Sequence, residues 1–220
     1  MSEASWRDRL RGLTVFGGQL PAFDTDIAPD DPAELLAEWL AFALETGVSQ
    51  PHAMTIATVD REGAPSARTL LLKDITPEGL WFATLSTSPK GRDLAENPRA
   101  ALLFYWREHG RQIRVTGSVE TGSRALARLD FLTRHPNARA IAAGGQQSEP
   151  LPATEAEYAA AVQSAREQIA ADPGYVPEEW QAYLVRPAEF EFWQAARERD
   201  QLRLRYLREG DGWRRELLWP

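Results

Sequence analysis

The spacing of apolar and polar positions changes several times along this chain, and each change marks a new element. Asp31-Pro32 reads as an N-cap followed by the first helical position, and Glu34 stands where a capping-box carboxylate reaches back. Leu36, Leu40 and Leu44 fall four apart beside Trp39 and Ala43, which predicts one amphipathic helix closing near Gly47. From Ala53 the period drops to two: Met54, Ile56 and Thr58 alternate with Thr55, Ala57 and Val59. Asp60 to Ala64 is a glycine-bearing turn, and a second strand follows from Ser66 to Lys73. Pro77-Glu78-Gly79 turns into a third strand, Leu80 to Leu85, and a short helix from Lys90 to Glu96 is closed by Asn97-Pro98. Ala100 to Arg107 and Arg111 to Glu120 pair around His109-Gly110. Arg124 to Thr133 and Glu155 to Ala171 read as helices, and Gly144 to Pro152 as a polar loop. Trp180 to Trp193 is a strand kinked at Pro187, and a last hairpin runs from Gln201 to Arg208 and returns to Trp219. Short antiparallel strands with inserted helices point to a mainly β fold, a small barrel with peripheral helices.

With 220 residues, 43% of them hydrophobic, the chain can bury one sizeable core. Residues 1–30 carry Gly17, Gly18, Pro21 and Pro29 with little periodicity, so they are expected to form an arm on a single domain spanning 31–220. A net charge of −7 argues against a general nucleic-acid binder, which needs a basic surface. The absence of cysteine excludes disulfides, thiolate metal sites and a cysteine nucleophile, and it fits a reducing compartment. No apolar run approaches the ~20 residues of a membrane span, and the arginine-bearing N-terminus resembles no signal peptide, so the expected location is the cytoplasm. His52, His109 and His135 lack metal-ligand spacing, and no glycine-rich loop matches a nucleotide-binding pattern.

Four clusters could carry chemistry. Arg68 to Lys73 is a strand with a cation at each end; the two point to opposite faces and would share a ligand only if the strand ended at a rim. Taken alone, flanking charges on a buried strand are the commoner explanation. Thr84, Ser86, Thr87, Ser88 and Lys90 precede a helix, which suits a phosphate cradle or an ordinary N-cap. Gln112 and Gln147-Ser148 offer groups that both donate and accept, as a flavin edge requires. Near the C-terminus Phe192-Trp193-Gln194 precedes Arg197, Arg199, Arg203, Arg205 and Arg208. That basic row would hold an anionic aromatic ligand or simply keep an edge strand soluble.

These clusters occur in a familiar order. Ala57-Thr58-Val59-Asp60, Arg68 through Lys73, Lys90-Gly91-Arg92, Asn97-Pro98-Arg99, Arg111-Gln112, Gln147-Ser148, Phe192-Trp193-Gln194 and Leu217-Leu218-Trp219-Pro220 together resemble the pyridoxine/pyridoxamine 5′-phosphate oxidase family. The resemblance covers about Asp31 to Pro220. It implies a split β-barrel homodimer with FMN at the subunit interface. The implied flavin residues are Arg68, Thr69, Leu70, Leu71, Lys73, Thr84, Lys90, Gln112, Gln147, Ser148, Trp193 and Arg203.

At the substrate the chain departs from that pattern. The family's tyrosine, arginine and serine phosphate clamp corresponds to Phe131, His135 and Arg139. Its Arg-Leu-His segment reads Arg199-Asp200-Gln201, and Pro89 replaces an arginine that helps hold the FMN phosphate. Losing a bidentate arginine and a hydroxyl is not a conservative change. His135-Pro136 and Tyr105-Trp106-Arg107-Glu108 resemble the phenazine-biosynthesis branch instead. The implied activity is oxidation of a dihydrophenazine carboxylate-type substrate with oxygen as acceptor. Lys73, Phe131, His135, Arg139, Arg199 and Gln201 would then surround the substrate, with Arg139 and Arg199 receiving its carboxylate. The alternatives are pyridoxamine 5′-phosphate oxidation and a non-catalytic flavin or deazaflavin binder.

Overall fold

The computed structural model describes residues 5–16, 18–144, 147–151, 154–196 and 201–220. The strands are β1 (Ala53–Val59), β2 (Pro65–Leu71), β3 (Asp74–Thr76), β4 (Gly79–Leu85), β5 (Arg99–Trp106), β6 (Arg111–Thr121), β7 (Trp180–Gln194), β8 (Leu202–Glu209) and β9 (Gly212–Leu217). The helices are α1 (Trp6–Arg11), α2 (Pro32–Glu45), α3 (Pro89–Glu96), α4 (Arg124–Thr133), α5 (Pro136–Gly144) and α6 (Glu155–Ala171). The strands form one sheet in the order β2-β1-β5-β6-β7-β4-β3, with β8 beside β7 and β9 beside β8.

Two features turn this sheet into a split barrel. The first is the seam. β2 and β3 sit at opposite edges of the sheet, yet Leu72-Lys73 alone separates them along the chain. The Leu72 amide donates to the His52 carbonyl (2.9 Å) and the Lys73 amide to the Trp81 carbonyl (2.8 Å), so the chain steps across the gap with its backbone paired. The second is the fork in β7. Its first half, Trp180 to Val185, pairs with β4; its second half, Glu189 to Gln194, pairs with β8; β6 follows both halves. The kink at Pro187 is a bulge, where the register slips between Thr116 and Gly117. Proline has no N–H for the ladder, and the backbone closes so tightly that a Cβ on Gly117 would lie 2.0 Å from the Arg186 carbonyl oxygen.

The alternation read from β1 holds: Met54, Ile56 and Thr58 are buried while their neighbours are half-exposed. They join Phe82, Leu102, Phe104, Ile113, Val115, Phe190 and Phe192 inside the barrel. α2 closes one end with Leu35, Leu36, Trp39 and Ala43, and Leu40 packs against them half-buried; of the predicted stripe Leu44 alone turns away, 62% exposed. A four-residue repeat drifts around a helix of 3.6 residues per turn, and the mixed spacing of the buried set follows the core better. Asp31 caps α2 through the Ala33 amide (2.8 Å), and the reciprocal capping box lies instead at Thr154 and Glu157, opening α6. Trp39 stands edge-on to Phe192 and carries the Arg111 guanidinium on its face at 4.0 Å. Arg111 also donates to Gln194 Oε1 (2.9 Å) and to the Ala22 carbonyl (3.2 Å), and Tyr206 donates to the Pro29 carbonyl (2.8 Å), which ties residues 22–29 to the barrel. A second, smaller core packs Ala127 and Phe131 of α4 against Ala83, Leu85, Trp180 and Ala182 on the outside of β4 and β7.

Candidate functional site

The start of α3 gathers the first half of the site. Ser88 is the N-cap and accepts from the Gly91 amide (3.3 Å). Lys90 is 2% exposed, and its ammonium donates to Ser88 Oγ and to Gln147 Oε1, both at 3.1 Å. Thr84 Oγ1 donates to the same Gln147 oxygen (3.3 Å). α3 can sit this close to the end of β4 because residue 91 is glycine; a Cβ there would stand 2.3 Å from the Ser86 carbonyl oxygen. Arg68, opposite Ile56 on β2, points inward and donates to Thr58 Oγ1 (2.7 Å) and Ser66 Oγ (2.6 Å). Its guanidinium lies 3.9 Å from Asp93, to which Thr58 donates (2.6 Å).

Burial, and secondarily the positive Arg68, push the Lys90 ammonium down to about 8, with Asp93 acting the other way. Among the described residues Lys90 has no ion-pair partner. Two cations, one carboxylate, a hydroxyl and a helix N-terminus therefore converge where an anion would relieve the excess positive charge. An anion at this point raises the Lys90 pKa, so the complex holds more protons than the free protein as pH climbs above about 8. Phosphate affinity is therefore expected to be greatest below that value and to fall by up to about tenfold per pH unit above it. Fluorescence titrations with FMN from pH 7 to 10 check this, with riboflavin, which carries no phosphate, expected to show no such decline.

The second half is a cleft of about 900 Å³ between the barrel seam and the layer of α4, α5 and α6. Leu70, Leu71, Leu85, Ile141, Leu151 and Trp180 make its apolar walls, and Thr69, Lys73, Thr84 and Gln147 line it with polar groups. Because β2 ends at Leu71, Lys73 is released from the strand alternation and reaches the cleft from the seam. Its ammonium pairs with Asp130 at 3.2 Å, and Asp130 also accepts from Trp180 Nε1 (3.1 Å). Ser148, next to Gln147, adopts a left-handed backbone (φ 71°), uncommon for a residue with a Cβ.

Three further residues form a separate row. Gln112 on β6 is opposite Trp193 on β7, which is opposite Arg203 on β8, so all three side chains share the outer face of the sheet. Glu191, 3% exposed, lies between Arg114 (2.9 Å) and Arg203 (2.8 Å) on that face. This basic row is thus interleaved with acids. β6, β7 and β8 lie three, four and five strands from β2, about 15 to 24 Å along the sheet at roughly 4.8 Å per strand.

The residues that the resemblance sets against the substrate clamp have other partners. Phe131 is wholly buried in the second core. Arg139 is buried, with its guanidinium near the Phe131 ring, and it donates to the Pro173 and Tyr175 carbonyls (2.9 and 3.3 Å). That arginine fastens the α6–β7 connection and does not line the cleft. His135 is solvent-exposed and accepts from the Asn137 amide (3.3 Å), while Gln201 accepts from Trp193 Nε1 (2.8 Å) and steadies that indole. Arg199 lies outside the described residues. The cleft also includes Arg134, which the sequence reading missed although it stands four residues after Asp130 on α4.

The donor set fits FMN: a cationic cradle for the phosphate, amide and hydroxyl groups for the edges of the ring system, and apolar walls for its faces. Comparison with known proteins agrees. Residues 40–167 match the family described as pyridoxamine 5′-phosphate oxidase, and residues 180–220 match the pyridoxine 5′-phosphate oxidase C-terminal dimerisation region. The pyridoxine/pyridoxamine 5′-phosphate oxidase of Deinococcus deserti is 41% identical over 86% of this chain and 89% of its own length. That of Thermosynechococcus vestitus is 42% identical over 88% and 90%. Among solved structures, PhzG from Burkholderia lata 383, in complex with tetrahydrophenazine-1-carboxylic acid, superposes with a TM-score of 0.84 at 31% identity, covering 92% of this chain and 100% of that one. An FMN-binding protein from Nostoc punctiforme shares the fold at a TM-score of 0.70 and 19% identity, over 86% and 98% of the two chains. With its split barrel and these matches over most of its length, the chain belongs to the pyridoxamine 5′-phosphate oxidase family and is an FMN-dependent oxidase.

Proposed function

We propose that this enzyme oxidises a planar, reduced aromatic acid of the dihydrophenazine carboxylate type, with molecular oxygen as the final acceptor. The observation that carries the reading lies at the positions that the resemblance sets against the vitamin phosphate clamp. Phe131 brings no hydroxyl and is buried, Arg139 is engaged with two backbone carbonyls, and His135 faces solvent. What lines the cleft instead is apolar wall with cations at Lys73 and Arg134, a setting suited to an aromatic ring system bearing one acid group. The ligand carried by PhzG is of that kind.

Bound FMN supplies the redox chemistry: two electrons and a proton leave the substrate ring as a hydride equivalent and, with a second proton, reduce oxygen to hydrogen peroxide. The protein's part is placement. Arg68 and Lys90 would hold the phosphate, Thr84, Gln147 and Ser148 the polar edges, and Lys73 with the seam backbone the face toward the substrate. Among the described residues, Glu149 is the one carboxylate lining the cleft, and Arg92 holds it at 3.3 Å. An electron-rich ring that readily gives up hydride requires no dedicated base. Gln112, Trp193 and Arg203 would meet the flavin from a second copy of the chain, since Trp193 and Arg203 lie in the segment that matches the dimerisation region, Gln112 stands opposite Trp193, and none of the three lines the cleft.

The second reading is oxidation of pyridoxamine 5′-phosphate, favoured by the names of the curated relatives. Anaerobic addition of each reduced substrate to the flavin-loaded enzyme separates the two. Bleaching of the flavin absorbance by a dihydrophenazine carboxylate alone is the expected result. Bleaching by pyridoxamine 5′-phosphate alone would establish the second reading, and an unchanged spectrum with both would overturn the first.

A further inference from the structure

Two hydroxyls join Arg68 to a carboxylate. Arg68 donates through Nη1 to Thr58 Oγ1 (2.7 Å) and through Nη2 to Ser66 Oγ (2.6 Å). Thr58 Oγ1 donates to Asp93 Oδ2 (2.6 Å), and Ser66 Oγ donates to the same oxygen at a longer 3.4 Å. Thr58 lies on β1, Ser66 and Arg68 on β2, and Asp93 on α3 three residues after Lys90, so the relay ties both strands to the helix. Thr58 is 1% exposed and the Asp93 side chain 12%.

A carboxylate can only accept hydrogen bonds and a guanidinium can only donate them. Each hydroxyl has one hydrogen. Spent on Asp93, it leaves lone pairs to face Arg68, so the charge of Asp93 fixes the direction of every bond in the relay. The Nη groups of Arg68 are thereby held, while among the described residues no acceptor takes its Nε. Nε–H and the Nη2 hydrogen beside it form the fork that grips a phosphate through two parallel hydrogen bonds.

We infer that Asp93 is a positioning residue of the cradle: through Thr58 and Ser66 it fixes the plane of the Arg68 guanidinium for the FMN phosphate, and its charge offsets the repulsion between Arg68 and Lys90. The inference rests on the proposed reading that Arg68 and Lys90 hold that phosphate. Asp93 and Thr58 act through Arg68 and do not themselves touch the ligand. The charge has a second consequence. Among the described residues, the charged groups acting on Lys90 are Arg68 from β2 and Asp93 from its own helix. Thr84, Ser88 and Gln147 are neutral, and Arg92 turns to the Thr87 carbonyl and Glu149. Burial lowers the Lys90 pKa most and Arg68 lowers it further, while Asp93 raises it. Without the Asp93 charge the ammonium loses its proton at lower pH, and the cradle's hold on phosphate weakens there too.

The test is the affinity of the apo-protein for FMN and for riboflavin, read from flavin fluorescence over a pH series. At neutral pH Thr58→Val, which removes the relay but neither charge, is expected to weaken FMN about 10-fold, the lower end for losing a charge-assisted contact, and to leave riboflavin within about twofold. Thr58→Ser, which restores the hydroxyl, is expected to bind FMN within about twofold of the wild type. Asp93→Asn, which keeps the shape, is expected to move the alkaline decline in FMN affinity to lower pH, whereas Thr58→Val leaves the decline where it is. The asparagine variant also serves if the valine variant does not fold. Equal weakening of both flavins by Thr58→Val would show that the relay only supports the strands, and no weakening of either would show that Arg68 needs no relay. An unmoved decline in Asp93→Asn would show that its charge does not act on Lys90. Each of these overturns the inference while Arg68 and Lys90 keep their place at the phosphate. Equal affinity of the wild-type protein for FMN and riboflavin would overturn the phosphate reading together with the inference.

Discussion

Replacing Lys90 with methionine is expected to lower FMN affinity about 100-fold while leaving the apo-protein folded. The expectation follows from the ammonium's neighbours. Ser88 and Gln147 are neutral, Asp93 is engaged with Thr58 and near Arg68, and Lys90 itself is almost fully buried. A buried cation with neutral neighbours is unfavourable until an anion arrives, and a charge-assisted contact to that anion contributes about 1.5–3 kcal/mol, roughly 10- to 150-fold in affinity. Methionine fills similar volume without the charge, so the apo-protein is expected to keep its stability or gain a little. Titrating the variant with FMN and with riboflavin checks the assignment. The loss is expected for FMN, with riboflavin almost unaffected. Equal losses for both would mean that Lys90 supports the ring and not the phosphate.

The second large effect concerns the fork in β7. Gly117→Val is expected to destabilise the protein by about 3–5 kcal/mol, a large fraction of the ~5–15 kcal/mol that holds a typical domain together. The Cβ would stand 2.0 Å from the Arg186 carbonyl oxygen and 3.0 Å from the Pro187 Cα, both backbone atoms of the bulge, which no side-chain rotation can relieve. The bulge is where β7 leaves β4 for β8, so the strain falls on the junction of the two halves of the barrel. Gly212→Ala is the control, since its nearest neighbour would be a carbonyl oxygen at 3.9 Å; a change within about 0.5 kcal/mol is expected. Denaturant melts of the two apo variants decide it. If both lose stability alike, the close approach at Gly117 is not what makes the glycine necessary.

The parts of this structure that could be read from the chain are those set by local periodicity. The strand alternation from Met54 to Val59, the helices 124–133 and 155–171 and the kink at Pro187 all depend on near neighbours, and the structure shows each. Short or unpatterned pieces could not be read in the same way. β3 has three residues, and α5 is a short alanine-rich helix of about two and a half turns behind Pro136. The gathering of Thr84, Ser88 and Lys90 was legible as a hydroxyl-rich helix start followed by a lysine. The pairing of Lys73 with Asp130 was not, because it joins the barrel seam to α4 across a long stretch of chain. Arg139 and Arg134 show the limit of carrying roles by position. Matching the family's clamp points to residues 131, 135 and 139, but which arginine faces the cleft depends on the turn of the chain between α4 and α5. There Arg134 turns onto Trp180 and Arg139 turns back to the carbonyls before β7.

The central claim is that one flavin is held by two chains: the cradle and cleft of one, and the Gln112, Trp193 and Arg203 row of the other. Mixing two inactive variants tests it most directly. Lys90→Met damages the first set and Arg203→Gln the second, and each alone is expected to bind FMN poorly. If the sets come from opposite chains of a two-fold dimer, subunit exchange in an equal mixture leaves about a quarter of all sites intact. FMN binding and oxidase activity should return to about that level. If both sets served a flavin within one chain, every site in the mixture would carry a defect, and the absence of any recovery after demonstrated exchange would contradict the account.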